Sequence, residues 1–253
     1  MAKHKWLWIY LALSGLLIGN AAASDAQSRL DTMAATLAGA KYFSVNISMS
    51  YDVVQDSGQK IQFSEIRDLK LSRPNHLRVD SRQSDGTAGG LVFDGKTLTL
   101  FNTDQNVYSQ TLLTGNIDTA VRHAVGELGI RVPLARMLVS TLPDELKKLS
   151  SSVDYVEQNT LADIPTDHIA GRGRDVDYQV WVAKDNLPRR IVITYKNEPG
   201  QPQFQADFSD WNLSLPLAAN IFAYTPAKGA EKIPVFIPVR QPQDLGKEQG
   251  VAR

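Results

Sequence analysis

The segment from Phe43 to Val53 alternates apolar and polar residues without interruption, and this alternation constrains the fold more than any other feature of the chain. Successive side chains of a β-strand point to opposite faces, so the pattern predicts a long strand with one apolar and one polar face. An apolar strand face must be covered, so the strand belongs to a sheet with one buried side. The apolar face would carry Phe43, Val45, Ile47, Met49, Tyr51 and Val53.

Further strands are predicted on both sides of residues 116–149. Runs of β-branched and aromatic residues between turn residues are typical of antiparallel strands. They lie at Ile61–Leu71, Leu77–Arg82, Val107–Gln110, from Val153, and at Val176–Ala183, Leu187–Tyr195 and Phe204–Leu213. Near the N-terminus, apolar residues three or four apart predict an amphipathic helix that begins after Ser24 or Asp25 and ends near Gly39.

Residues 116–149 have helical rather than strand spacing. Pro133 can begin a second helix there, and Pro143 precedes a third helical turn. These segments must pack their apolar sides on the strands. The sequence therefore predicts a mainly β fold with α-helices: one large curved antiparallel sheet, an open half barrel, covered by the N-terminal helix and a helical lid. We expect a single domain at residues 24–236 and a disordered tail at residues 237–253.

The segment Gly90–Thr97, GLVFDGKT, matches the phosphate-binding pattern G-x-x-x-x-G-K-[ST]. Its context predicts a β-hairpin instead. The residues between the two glycines are mostly strand formers, and those after Lys96 alternate with period two rather than opening a helix. Asp94-Gly95 would form the two-residue turn and pair Leu91 with Leu98. We therefore expect no nucleotide here.

The N-terminus has the three parts of a secretory signal. Met1–Lys5 is basic, Trp6–Gly19 is apolar and uncharged, and Ala21–Ala23 supplies small residues at a cleavage site. The apolar run is short for a membrane span, so we predict a signal peptide at residues 1–23, cleaved after Ala23. The alternative is an uncleaved membrane anchor. Cleavage would place the protein in the periplasm of a Gram-negative bacterium.

Composition excludes several classes of site. The chain has no cysteine, so it has no thiol nucleophile, no disulfide and no residue for lipid attachment. Its formal net charge is +0, which does not favour the concentrated basic face that nucleic acid requires. These observations leave a domain that is held together by its own apolar core.

The histidines give little indication of catalysis or metal binding. His76, His123 and His168 show no metal-ligand spacing, so we expect no metal and no cofactor. A hydrolase that uses His168 with Asp175 and Asp177 is a remote alternative. The simpler interpretation is that these are exposed polar residues around a turn, and we predict no catalytic residue.

A curved sheet under short helices would leave an apolar hollow, and this hollow supplies the candidate binding residues. The cavity candidates come from the first strand and the hairpin: Phe43, Val45, Ile47, Met49, Leu91, Phe93, Leu98 and Leu100. The lid candidates come from the helical insertion: Ile117, Val121, Leu128, Leu134 and Met137. Arg189 and Arg190 would point to opposite faces of a strand, so one of them could meet a phosphate or carboxylate at the rim. The other interpretation is an ordinary solvated position.

Several stretches carry a family resemblance. They are Arg73–Asp80, Leu91–Tyr108, Asp175–Val182, Leu187–Ile193, Trp211 and Phe222–Ala230. From about Leu30 to Glu231 the chain resembles the predicted periplasmic proteins with domain of unknown function 2092, which in turn resemble the lipoprotein carriers LolA and LolB. The resemblance implies an open half-barrel sheet with a helical lid over an apolar cavity, which in those carriers takes up acyl chains. The absence of cysteine separates the chain from LolB, a lipoprotein.

Two functions are compatible with these features. The first is a non-enzymatic periplasmic carrier or sensor that binds a lipid, an acyl chain or a lipidated partner such as a lipoprotein. The second is an interaction protein that binds an envelope protein at a sheet edge or face and fills its core with its own side chains. Both would act as a monomer, without nucleotide or nucleic acid.

We predict that the mature protein begins at Ser24, because the small residues before it form the cleavage site. The intact mass of protein purified from the periplasm measures this directly. A species that retains Trp6–Gly19 would instead support the membrane anchor.

Overall fold

The computed structural model describes residues 18–128, 133–214 and 216–234, with side chains from Asp25 onward. Most of the predicted signal peptide and the whole predicted tail at residues 237–253 lie outside the described residues, so both stay predictions. Among the helices that are described, none is long and apolar enough to cross a membrane.

The described strands form one twelve-stranded sheet that does not close into a barrel. Its spatial order is β12-β6-β5-β4-β3-β2-β1-β11-β10-β9-β8-β7. The strands are β1 (Tyr42–Val54), β2 (Lys60–Ser72), β3 (His76–Gln83), β4 (Ala88–Phe93), β5 (Thr97–Asn102), β6 (Val107–Leu112), β7 (Ser150–Leu161), β8 (Ile164–Gly173), β9 (Val176–Ala183), β10 (Pro188–Tyr195), β11 (Gln203–Asn212) and β12 (Glu231–Lys232). Two runs of consecutive strands, β1 to β6 and β7 to β11, therefore meet where β1 pairs with β11.

The alternation on β1 is confirmed and defines the two faces of the sheet. Phe43, Val45, Ile47, Met49 and Val53 are each at most 4% exposed. We call their side of the sheet the inner face and the opposite side the outer face. The predicted antiparallel pairing holds along the sheet except at its end, where the unpredicted β12 runs parallel to β6.

The hairpin predicted at Gly90–Thr97 is confirmed, but its register is not. Leu91 pairs with Leu100 rather than with Leu98. The turn is Gly95-Lys96, because the Asp94 carboxylate accepts the backbone N–H groups of both residues 96 and 97, at 2.9 and 2.7 Å. The shift is two residues, an even number, so every side chain stays on its predicted face.

Helix α1 (Ile18–Gly39) covers the β7–β9 part of the inner face. It begins before the predicted Ser24 or Asp25, because the alanines ahead of them favour continuation of the helix. Arg29 fixes the helix on the sheet. Its guanidinium donates to the Asp167 carboxylate at 2.8 Å, to the Asn186 side chain at 2.7 Å and to the carbonyl of residue 183 at 3.0 Å.

The helical insertion lies between β6 and β7. It contains α2 (Ile117–Arg122), a π-helical turn (His123–Glu127), a 3-10 helix (Ala135–Leu138) and α3 (Leu142–Leu149). The helix that we predicted after Pro133 is thus a single short turn. The insertion packs on the inner face beside α1, as predicted for a cover.

The C-terminal segment covers part of the outer face, which the sequence pattern did not predict. Phe222 packs on His76, with ring centroids 5.2 Å apart. Tyr224 packs on Phe101 at 5.1 Å and on Tyr108 at 5.5 Å. The strands β3 to β6 are therefore packed on both faces.

We predict that Gly95→Ala destabilises the fold more than Gly58→Ala. Both glycines have positive φ, +87° and +82°, so each alanine costs about 1 kcal/mol of backbone strain. At Gly95 the new Cβ also meets Asn75 Nδ2 at 2.3 Å, whereas at Gly58 it meets nothing within 4 Å. Urea unfolding should give a loss that is about 1 kcal/mol larger for Gly95→Ala. Equal losses would contradict the close contact.

Candidate ligand-binding hollow

A hollow of about 270 Å³ lies between the inner face of the sheet and the helical insertion. Its floor comes from β3, β4 and β5, its roof from α2, the π-helical turn and the 3-10 helix, and one end from β1, β2 and β11. The apolar floor residues are Leu77, Val79, Leu91, Leu98 and Leu100. The apolar roof residues are Ala120, Val121, Ala124, Val125, Pro133, Ala135 and Leu138.

Strand register places the floor residues in two rows across the sheet. Leu77 is joined through Phe93 to Leu98 in one row, and Val79 is joined through Leu91 to Leu100 in the next. Directly opposed residues share a face, so both rows lie on the inner face. A space is left there because the roof presents mainly small side chains.

The predicted cavity residues divide into two groups. Met49, Leu91, Leu98 and Leu100 line the hollow. The others are on the same face but are packed in the core rather than against the hollow: Phe43, Val45, Ile47 and Phe93. Phe43 also packs on Trp211 of the neighbouring strand β11, with ring centroids 5.6 Å apart. Alternation thus identified the face, but not the stretch of it that is left open.

The predicted lid residues also divide. Val121 lines the hollow. Ile117, Leu128, Leu134 and Met137 belong to the packed core or lie against it. The alanines of α2 and the π-helical turn form the roof in their place, because their small side chains leave the space beneath them open.

Arg189 and Arg190, the candidates for the rim, are not among the residues that line the hollow. Arg189 pairs with Asp185, and Arg190 pairs with Asp207 at 2.6 Å. The Arg190 guanidinium also lies over the Trp181 ring on the outer face, 5.8 Å from its centroid. Local carboxylates hold both side chains, and neither lines the hollow.

An ion pair inside the hollow was missed by the sequence analysis. Arg67 donates to both carboxylate oxygens of Glu65, at 2.7 and 3.1 Å, and both residues line the hollow. Their side chains are only 21% and 12% exposed. They continue the inner-face positions of Leu71 and Leu69 on β2, so counting every second residue back from Leu71 would have found them.

The two ends of the lid are held together by one carboxylate. Asp118 of α2 accepts the backbone N–H of Ser140 at 2.9 Å and also the Ser140 hydroxyl. The Asn116 side chain caps α2 by accepting the N–H of Thr119 at 2.9 Å. Nearby, burial lowers the pKa of the Arg73 guanidinium, while the charge of Asp118 acts in the opposite direction.

The structure does not support the hydrolase alternative. His168 is on the outer face, stacked on Trp181 at 4.0 Å, and its Nε2 contacts the Gln179 side chain at 3.0 Å. Asp177 pairs with Lys196, and Asp175 accepts from Asn197. Within the described ranges, no three acidic, histidine or cysteine side chains come together as a metal site would require.

The model of the family described as predicted periplasmic protein (DUF2092) matches residues 26–236. The chain belongs to this family. The periplasmic location in the family's description agrees with the location predicted from the N-terminus. No curated protein matches the chain.

Several solved structures are similar in outline at low sequence identity. LprF from Mycobacterium bovis is 12% identical, with a TM-score of 0.49, over 77% of this chain and 96% of that one. A LolA superfamily protein from Nitrosomonas europaea is 13% identical, with a TM-score of 0.38, and the match covers 79% of this chain and 97% of that one. The MucA/MucB complex from Pseudomonas aeruginosa is 16% identical, with a TM-score of 0.42, and the match covers 80% of this chain and 61% of that one.

We predict that Asp118→Ala loosens the lid more than the rest of the fold. The substitution removes both hydrogen bonds to Ser140, so amide hydrogen exchange should rise in residues 117–128 and 135–142. Urea unfolding should change by only about 1 kcal/mol. Asp118→Asn keeps one acceptor oxygen and should have a smaller effect. Unchanged exchange in Asp118→Ala would contradict the role of this contact.

Proposed function

We propose that this protein is a non-enzymatic periplasmic binding protein that holds an acyl chain in the hollow, as a carrier or sensor of a lipid or a lipidated partner. The supporting observation is the apolar floor, where residues such as Leu98 and Leu100 face open space. Protein interiors are normally filled to the density of organic crystals, and side chains beside a void lose dispersion contacts. A chain that keeps such a space open is therefore suited to a ligand that fills it.

The dimensions of the hollow favour a single alkyl chain. Lining residues on β3 extend from Leu77 to Gln83, which is about 20 Å at a strand rise of about 3.3 Å per residue. The volume of about 270 Å³ is near the lower end for small-molecule sites. Each CH₂ group buried there contributes about 0.8 kcal/mol, so binding strength should increase with chain length until the hollow is full.

The lid provides a route for entry. The helices α2 and Ala135–Leu138 are too short to be stable alone, and they depend on packing against the sheet. A hinged movement of α2 and the π-helical turn would expose the floor, while α1, which contacts the 3-10 helix, stays fixed on the sheet by Arg29. Uptake and release would then be limited by lid movement rather than by unfolding.

A second candidate function is binding of an envelope protein at a sheet edge. Within the part of the chain that the structure describes, β7 pairs only with β8, and its residues Tyr155 and Val156 are 36% and 49% exposed. An extended segment can add to such an edge. The bulge between Tyr155 and Glu157 and the acidic residues on this strand oppose regular pairing, so we place this function second.

We predict that Leu91→Trp abolishes acyl binding. Leu91 is half-buried and faces the hollow, so the indole would occupy the space with less overpacking than at a fully buried position. The matched control is Ile66→Trp, on the outer face of β2 and 58% exposed, which should bind like the wild type. Calorimetric titration of delipidated protein with glycerol monododecanoate measures the affinity, and thermal unfolding verifies that both variants are folded.

Two results would count against the proposal. Wild-type protein that binds neither glycerol monododecanoate nor dodecanoic acid has no acyl site, and the edge-binding function then takes precedence. Undiminished binding by folded Leu91→Trp places the ligand somewhere other than the hollow.

A further inference from the structure

The hollow has a polar end that differs chemically from its leucine floor. Along β3 its lining changes from Leu77 and Val79 to Ser81 and Gln83. The Arg67–Glu65 pair lies beside this polar end, because Arg67 is opposite Ser81 and Glu65 is opposite Gln83 across the β2–β3 ladder. A ligand with its alkyl chain on the floor would therefore place its polar head next to the ion pair.

The charge of Arg67 is already matched. Its Nε and one terminal nitrogen donate to the two oxygens of Glu65 in the bidentate geometry that arginine and carboxylate prefer. A guanidinium has five N–H groups, so this pairing leaves donors that an additional acceptor in the hollow can use. What remains for a ligand is hydrogen bonding rather than a free positive charge.

The Glu65 carboxylate lies directly against Arg67 at this end, and both side chains line the hollow. A second carboxylate brought here would lose part of its hydration and meet the Glu65 charge, which has the same sign. An ester or amide carbonyl would accept from Arg67 without either cost.

We infer that the hollow selects acyl chains with an uncharged ester or amide head and discriminates against free fatty acids, with Arg67 as the donor and Glu65 as the residue that sets the selectivity. This inference rests on the proposed function. It specifies the chemical class of the ligand, which the apolar floor alone does not.

The test compares two ligands that have the same twelve-carbon acyl chain, dodecanoate and glycerol monododecanoate. Their affinities are measured by calorimetric titration of full-length mature protein at pH 7.5. The wild type should bind the monoester at least about tenfold more tightly. Glu65→Gln keeps the size of the side chain but removes its charge, leaving Arg67 unmatched. Its affinity for dodecanoate should rise about tenfold through a charge-assisted contact, and the preference for the monoester over dodecanoate should fall accordingly.

The double variant Glu65→Gln/Arg67→Gln is the control, because it removes both charges. It should lose the gain in dodecanoate affinity, whereas a purely structural effect of Glu65 would weaken both ligands together in either variant. Equal wild-type affinities for the two ligands, or an unchanged ratio in folded Glu65→Gln, would overturn the head-group selectivity while leaving acyl binding intact. Failure of both ligands to bind would reject the acyl site itself. The wild-type ratio decides the question even if a variant does not fold.

Discussion

The structure depends on covering one apolar face of a single sheet. The strands from β1 to β11 present their apolar side chains to the same inner face, and hydrogen bonds within the sheet do nothing to remove that face from water. Among the described residues, burial of this face comes from helices in two places, because the 3-10 helix Ala219–Phe222 packs on the outer face instead. Helix α1 precedes the sheet, and the insertion separates its two runs of strands, so both must reach the same side.

The two covers of the inner face have different character, and the proposed function depends on the difference. Helix α1 brings large side chains such as Leu30 and Leu37 against the sheet and is fixed by Arg29, so its half is packed. The insertion is made of short pieces and presents alanines above leucines, so its half stays partly open. In the proposed function, the packed half supplies the stable core and the partly open half supplies the ligand site.

The fold follows from the sequence wherever a single periodic pattern decides the outcome. Alternation on β1 gave the buried face, and the hairpin faces were right although the register was not. The register depends on whether the Asp94 side chain bonds to the residues after Gly95, which residue preferences alone do not determine. Glu65 was missed because charged residues on a strand are usually solvated, although counting back from Leu71 places it on the inner face, in register with Met49.

The seam between β1 and β11 has a consequence for how the chain folds. Each run of strands is built from neighbours in sequence, whereas Asn46 on β1 bonds to Asp210 across 164 positions. Closing so long a loop costs entropy before any contact compensates for it, and distant pairings slow folding. The two runs can therefore form early and separately, but the sheet becomes continuous only once β11 has been delivered. A chain that emerges N-terminus first keeps this edge of β1 unpaired until then, so the edge is open to pairing with other chains during biogenesis.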